Sequence, residues 1–165
     1  MAALIFPPLE TLEDYAGDFR SWFEAVYDLF VDDFVRSKPS FKGTRVNTKA
    51  YPLTEGKNRT FFHITHEGAD EQARLPDTRR MERIRYPGFF IRNSPHSELL
   101  IWENERGTER RILIFHEAEG YLVVLSKRAD YVLLWTAYLV EQPHRKRKLI
   151  QEYEAYQNAE AAQGY

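Results

Sequence analysis

Five groups of side chains in this 165-residue chain have types and spacings that chemistry can use. His63 and His66 stand three residues apart in the run Arg-Thr-Phe-Phe-His-Ile-Thr-His. An imidazole titrates near neutral pH, so either ring is a ready general acid or base. Arg79, Arg80 and Arg83 fall within one short segment, with Arg79 and Arg83 on one helical face and Arg80 adjoining it. The guanidinium fork matches phosphate oxygens bidentately. The more ordinary use of such a cluster is a solvated face with acidic neighbours such as Glu82. Thr136 and Tyr138 bring hydroxyls to the end of an apolar run and can line a site or simply finish a strand. Lys127 and Arg128 form a basic pair in a turn, and Arg145, Lys146, Arg147 and Lys148 open the last helical pattern. Cations at a helix start oppose its dipole, which leaves contact with phosphates or a solubilising role as their reason.

A metal site is a weak reading. A histidine pair three apart lacks a third ligand at diagnostic spacing, and the His-Glu-x-x-His motif is absent, so no metal or cofactor is expected. The chain has no Cys, hence no disulfide and no thiolate nucleophile. No apolar run approaches membrane-spanning length and no signal-peptide pattern opens the chain. A cytoplasmic protein with no membrane partner is expected. Net charge is −2, yet residues 1–40 carry 8 acidic and 3 basic side chains, leaving the remainder net positive. A basic footprint behind an acidic front is therefore open.

The elements that must position these groups follow from periodicity. From Thr11, apolar residues at spacings of 3 and 4 (Leu12, Tyr15, Phe19, Trp22, Val26, Phe30, Phe34) predict one long amphipathic helix ending near Ser37, its other face bearing Asp18, Glu24, Asp28 and Asp32. Residues 41–51 read as an edge strand or loop, and 59–66 as a strand by composition. In that strand His63 and His66 point opposite ways unless the chain bends at Glu67-Gly68. Asp77 caps a short Arg-rich helix that Pro87-Gly88 stops. Short strands follow at 89–92 and 99–103. Residues 110–138 form a β-meander, with turns at 117–120 and 127–130. Alternation puts Thr136 and Tyr138 on one face with Val132 and Leu134. A helix from about residue 142 runs to about 155 or beyond, and the tail from 157 frays. The fold class is α+β in a single domain: an antiparallel meander sheet with a long N-terminal helix, a short Arg-rich helix and a C-terminal helix, the helices on one sheet face.

The series Phe61-Phe-His-Ile-Thr-His66, Asp77-x-x-Arg80-x-x-Arg83-Ile84, Trp102, Tyr121-Leu-Val-Val-Leu125 and Tyr131-Val-Leu-Leu-Trp-Thr-Ala-Tyr138, closed by a basic helix, resembles the phage-associated RNases of the Barnase–EndoU–Colicin–RelE superfamily. The resemblance covers about residues 41–156; residues 1–40 are then an acidic helical extension and 157–165 a tail. It implies a metal-independent endoribonuclease, a toxin of phage, plasmid or toxin-antitoxin origin, in which the RNA 2′-OH attacks the adjacent phosphorus and leaves a cyclic phosphate and a 5′-OH. His63 is then base or acid with His66 as partner or substitute, Arg80 and Arg83 hold the phosphate, and Thr136 and Tyr138 donate hydrogen bonds to it, or Tyr138 assists proton transfer. Arg79, Lys127, Arg128 and residues 145–148 track the flanking backbone. Transfer RNA or messenger RNA on the ribosome is the implied substrate, and an antitoxin or immunity protein the implied partner. The rival expectation is a phage or plasmid interaction module that kept the fold without the chemistry. Convergence of the histidines, arginines and hydroxyls on one basic concavity separates the two.

Overall fold

The computed structural model describes residues 1–68, 70 and 73–163, so the last two residues of the expected tail lie outside it. Asp18 starts helix α1 (Phe19–Val31) by accepting a hydrogen bond from the Ser21 amide, and a π-turn (Asp32–Arg36) ends it. Trp22, Val26 and Phe30 are its buried stripe, so the helix is integral to the core. The expected continuous helix from Thr11 is broken. Thr11 and Asp14 close a capping box around one 3-10 turn (Leu12–Tyr15), after which Ala16 and Gly17 take positive φ and Asp18 caps afresh. The acidic face is neutralised within the chain: Glu24 pairs with Lys57 at 2.7 Å, and Asp28 and Asp32 share Arg36.

Two short strands, β1 (Ser40–Phe41) and β2 (Thr44–Asn47), precede helix α2 (Arg59–Thr65). The expected strand at 59–66 is thus corrected to a helix. Asn58 caps it, its side chain accepting from the Thr60 amide at 2.9 Å, and Thr65 Oγ1 donates back to the Phe61 carbonyl at 2.8 Å. Phe61, Ile64 and Thr65 are buried, a 3–4 spacing that seats one helical face in the core. Strands β3 (His66–Glu67) and β4 (Leu75–Pro76) make a small separate hairpin. Helix α3 (Thr78–Glu82) carries the expected Asp77 cap, with the Arg79 and Arg80 amides donating to Asp77 Oδ1. Pro87 does not stop it. A new helix, α4 (Tyr86–Arg92), begins there with proline in its first turn, where no amide is needed, and replaces the expected strand at 89–92.

Strands β5 (Leu100–Arg106), β6 (Glu109–His116), β7 (Tyr121–Lys127) and β8 (Val132–Leu139) form the antiparallel meander, and helix α5 (Pro143–Gln163) closes the chain. The six-stranded order is β1-β2-β8-β7-β6-β5, with β2 parallel to β8 through Val46–Val132 and Asn47–Leu133. The fold is α+β, as the sequence predicts. Helices lie on both sheet faces, however, and not on one. Ile112, Ile114, Val123 and Leu125 join Trp22 and Phe30 in one core. Leu113, Phe115, Leu122 and Val124 pack with Leu149 of α5 in the other. A strand covered on both sides must be apolar at every position, which accounts for the unbroken Leu-Val-Val-Leu of β7. Among the described residues no helix is long and apolar enough to cross a membrane.

Candidate active site

β8 departs from simple alternation. Leu125 pairs with Leu134 but Val124 pairs with Thr136, so Trp135 is an extra residue in a β-bulge. The bulge overturns the expectation that Thr136 and Tyr138 share a face with Val132 and Leu134. Val132 and Leu134 enter the core under α1, whereas Tyr138 packs toward α5. Thr136 lies opposite Val124 on that second side.

α2 sits beside β8, and between α2, β3, α3 and β8 lies a pocket of about 230 Å³. His63, His66, Arg74, Arg80, Thr136 and Tyr138 line it, with Glu67 as an acidic member of the wall. Five side chains expected from the sequence therefore meet. The turn from helix to strand brings the two histidines to one pocket: His63 lies in the last turn of α2, and His66 is the extended residue that caps it and opens β3.

The two rings are held in different tautomers. His66 Nδ1 is 3.0 Å from the Phe62 carbonyl and 3.0 Å from Thr65 Oγ1, whose own proton goes to Phe61. Nδ1 must then carry the proton, and Nε2 is the basic nitrogen. His63 Nδ1 is 2.8 Å from Arg74 Nη1. A guanidinium only donates, so this Nδ1 accepts and the neutral ring carries its proton on Nε2. Burial pushes the His66 pKa below the ordinary imidazole value of 6.5, with the Arg74 charge adding to the effect and the Phe62 hydrogen bond and Glu55 opposing it. His66 is consequently neutral at pH 7, the form a base requires. Phe62 stacks on its ring at 3.7 Å between centroids and fixes the plane.

The cationic wall is anchored as firmly. Arg80 donates to the His66 carbonyl at 3.1 Å, lies 3.4 Å from Asp77 Oδ2 and holds its guanidinium 5.7 Å from the Tyr138 ring centre. Arg145 Nη2 donates to the Tyr138 hydroxyl at 3.2 Å, which leaves the phenol proton to donate elsewhere.

Other expected residues stand apart. Arg83 caps the end of α3, donates to the Arg79 carbonyl and lies over Tyr86; it does not line the pocket. Arg79 is paired with Glu141. Lys127 pairs with Glu103, and Arg128 donates to Ser126. Lys127 faces Val132 at the far end of the β7–β8 hairpin from Tyr138, roughly 20 Å along the strand. Lys146 lies against the Gly120 turn, where an added Cβ would meet its Nζ at 3.1 Å, while Arg147 and Lys148 are exposed on α5. Only Arg145 of the basic run touches a residue of the pocket wall among the described contacts.

Sequence reasoning missed Arg74 and a larger cleft of about 680 Å³ next to the pocket, sharing His63 and Arg74 with it. Lys49, Arg59, Phe62 and Trp135 also line this cleft. Asn58, as a helix cap, was the available signal for α2; nothing in the sequence marks Arg74. Among the described residues no group of three or more His, Asp or Glu side chains is arranged to hold a metal ion. Comparison with protein-family models, curated proteins and solved structures finds no match to this chain.

Proposed function

We propose that the protein is a metal-independent endoribonuclease working by transesterification. The observation that carries this reading is His66: its Nδ1 is tied to the Phe62 carbonyl, which leaves Nε2 the basic nitrogen, and the residue lines a pocket walled by Arg74, Arg80 and Tyr138. In this mechanism His66 Nε2 takes the proton of the RNA 2′-OH as that oxygen bonds to the adjacent phosphorus. The P–O5′ bond breaks, giving a 2′,3′-cyclic phosphate. Tyr138 delivers its phenolic proton to the departing 5′ oxygen, and the resulting phenolate is stabilised by Arg80 and Arg145. His66 finishes protonated and Tyr138 deprotonated; solvent exchange restores both. Arg74 and Arg80 neutralise the phosphorane, and the Thr136 hydroxyl donates to its oxygens, with His63 beside them in the pocket wall.

The resemblance to toxin-type RNases supports cellular RNA as the substrate, transfer RNA or messenger RNA on the ribosome, with the cytoplasm as the place of action. An antitoxin or immunity protein would act by covering the pocket. The test is cleavage of total RNA by the purified chain in EDTA, with end-group analysis. Fragments bearing 5′-OH ends, lost in a folded His66→Gln variant, are expected. Absence of cleavage on every RNA, translating ribosomes included, would favour the non-catalytic interaction module.

A further inference from the structure

We propose that the larger cleft is a nucleotide subsite, taking the unstacked base of a single-stranded RNA nucleotide adjacent to the bond cut in the smaller pocket. The inference rests on the ribonuclease reading and specifies its substrate. The two cavities adjoin, with His63 and Arg74 lining both. A strand threaded across Arg74 would therefore present its neighbouring residue to the cleft. A volume of about 680 Å³ lies in the range of small-ligand sites.

The lining has the two chemistries that a nucleotide needs. Trp135 and Phe62 offer aromatic surface, which holds any base by its π-face. Trp135, the extra residue of the bulge, lines the cleft, while its ring also packs on the second core with the Arg111 guanidinium 5.2 Å from its centre. Lys49 and Arg59 supply positive charge for the phosphate, and Glu55 supplies an acceptor for base amino groups. The backbone contributes as well. β2 pairs with β8 at Val132 and Leu133, after which the edge of β8 forms the cleft wall through Leu134 and Trp135. A strand edge presents amides and carbonyls that can read a base edge. A duplex cannot place a base in such a recess without unpairing it, so single-stranded or looped RNA is the form recognised.

Occupancy also bears on the catalytic ring. Phe62 lines the cleft while stacking on His66, so a base pressed against Phe62 braces the imidazole from behind.

The test uses the full chain and a short mixed-sequence RNA with 2′-fluoro groups throughout, which lacks the nucleophile and stays intact. Binding is read by fluorescence anisotropy. Trp135→Leu is expected to weaken binding about tenfold, and Trp135→Phe by no more than about threefold, since the second keeps a stacking surface. Lys49→Ala, at an exposed position where folding is not at risk, is expected to cost about fivefold and to flatten the salt dependence. An abasic version of the RNA should erase the difference between the Leu and Phe variants. Parent-like binding by Trp135→Leu and Lys49→Ala, in chains that still cut ordinary RNA, would overturn the subsite and leave the ribonuclease standing. Failure of the parent chain to bind or cut RNA would remove both.

Discussion

Two buried histidines at two places in the fold differ in how many of their ring nitrogens the fold itself engages. His116, 6% exposed, closes a cluster with the N-terminal segment. Its Nδ1 accepts from the Glu119 amide and its Nε2 donates to Glu98, which in turn holds the Leu4 amide at 2.8 Å. The Phe6 ring meets it edge-on. Both ring nitrogens are consumed, and the neighbouring His96 is likewise spent between the Glu98 amide and the Ala2 carbonyl. His66, 4% exposed, is as deeply placed but commits only Nδ1 among the described contacts, and it borders a pocket lined by arginines. Burial does not separate a structural histidine from one available to chemistry; the number of ring nitrogens still on offer does.

The comparison breaks most directly through His66→Gln. Cleavage is expected to fall by about 10²–10⁴-fold with the thermal transition little moved, because a general base is lost without a large volume change. A variant that cuts normally would make His66 structural after all. Next in size is Arg80→Met, expected to lower kcat/KM by about 10²-fold through lost phosphate stabilisation, whereas Arg83→Met should stay within about twofold. Equal losses in the two variants would erase the distinction between pocket and cap. His116→Ala is expected to cost about 1–3 kcal/mol in urea denaturation by orphaning the Glu119 amide and the Glu98 carboxylate, with activity per folded molecule kept.

Acidity sharpens the same contrast. The folded His66 pKa is depressed, so the unfolded state binds its proton first as pH falls. Stability from this group is present above about pH 6.5 and declines below it, and kcat/KM should hold its plateau into mildly acidic buffer before losing the base. Glu98 is also held low, mainly by the Leu4 amide, and its contribution fades only as pH falls below the carboxylate range of about 4.5. A pH–rate profile and a pH–stability curve measured together should therefore bend first at the imidazole. The smallest effect belongs to Lys127→Ala, for which RNA affinity should change by less than about twofold, since Glu103 already occupies that cation far from the pocket.

The meander was legible because its apolar runs and polar turns leave no competing periodicity. The Asp77 cap was legible because a side-chain acceptor before a helix has a local cause. α2 was hidden by composition: Phe-Phe-His-Ile-Thr suits a strand, and tertiary burial of Phe61, Ile64 and Thr65 decided for the helix. Pro87 suits a helix stop by sequence, yet its missing amide equally suits a start. The second helical layer could have been inferred from Leu122 to Leu125, apolar on both faces of the strand. The identities of His63, His66, Arg80, Thr136 and Tyr138 were legible as chemistry, but their meeting depended on a bulge and a helix that no alternation rule contains.

The bulge has a consequence for how such a chain can vary. Leu134 and Thr136 already face opposite sides and already pair with consecutive residues of β7. Removing the single codon for Trp135 would therefore leave a regular ladder, with Thr136 and Tyr138 where they are. A one-residue deletion at this point would change what lies beside the pocket while sparing the groups inside it, a change that elsewhere in the sheet would throw the strand out of frame.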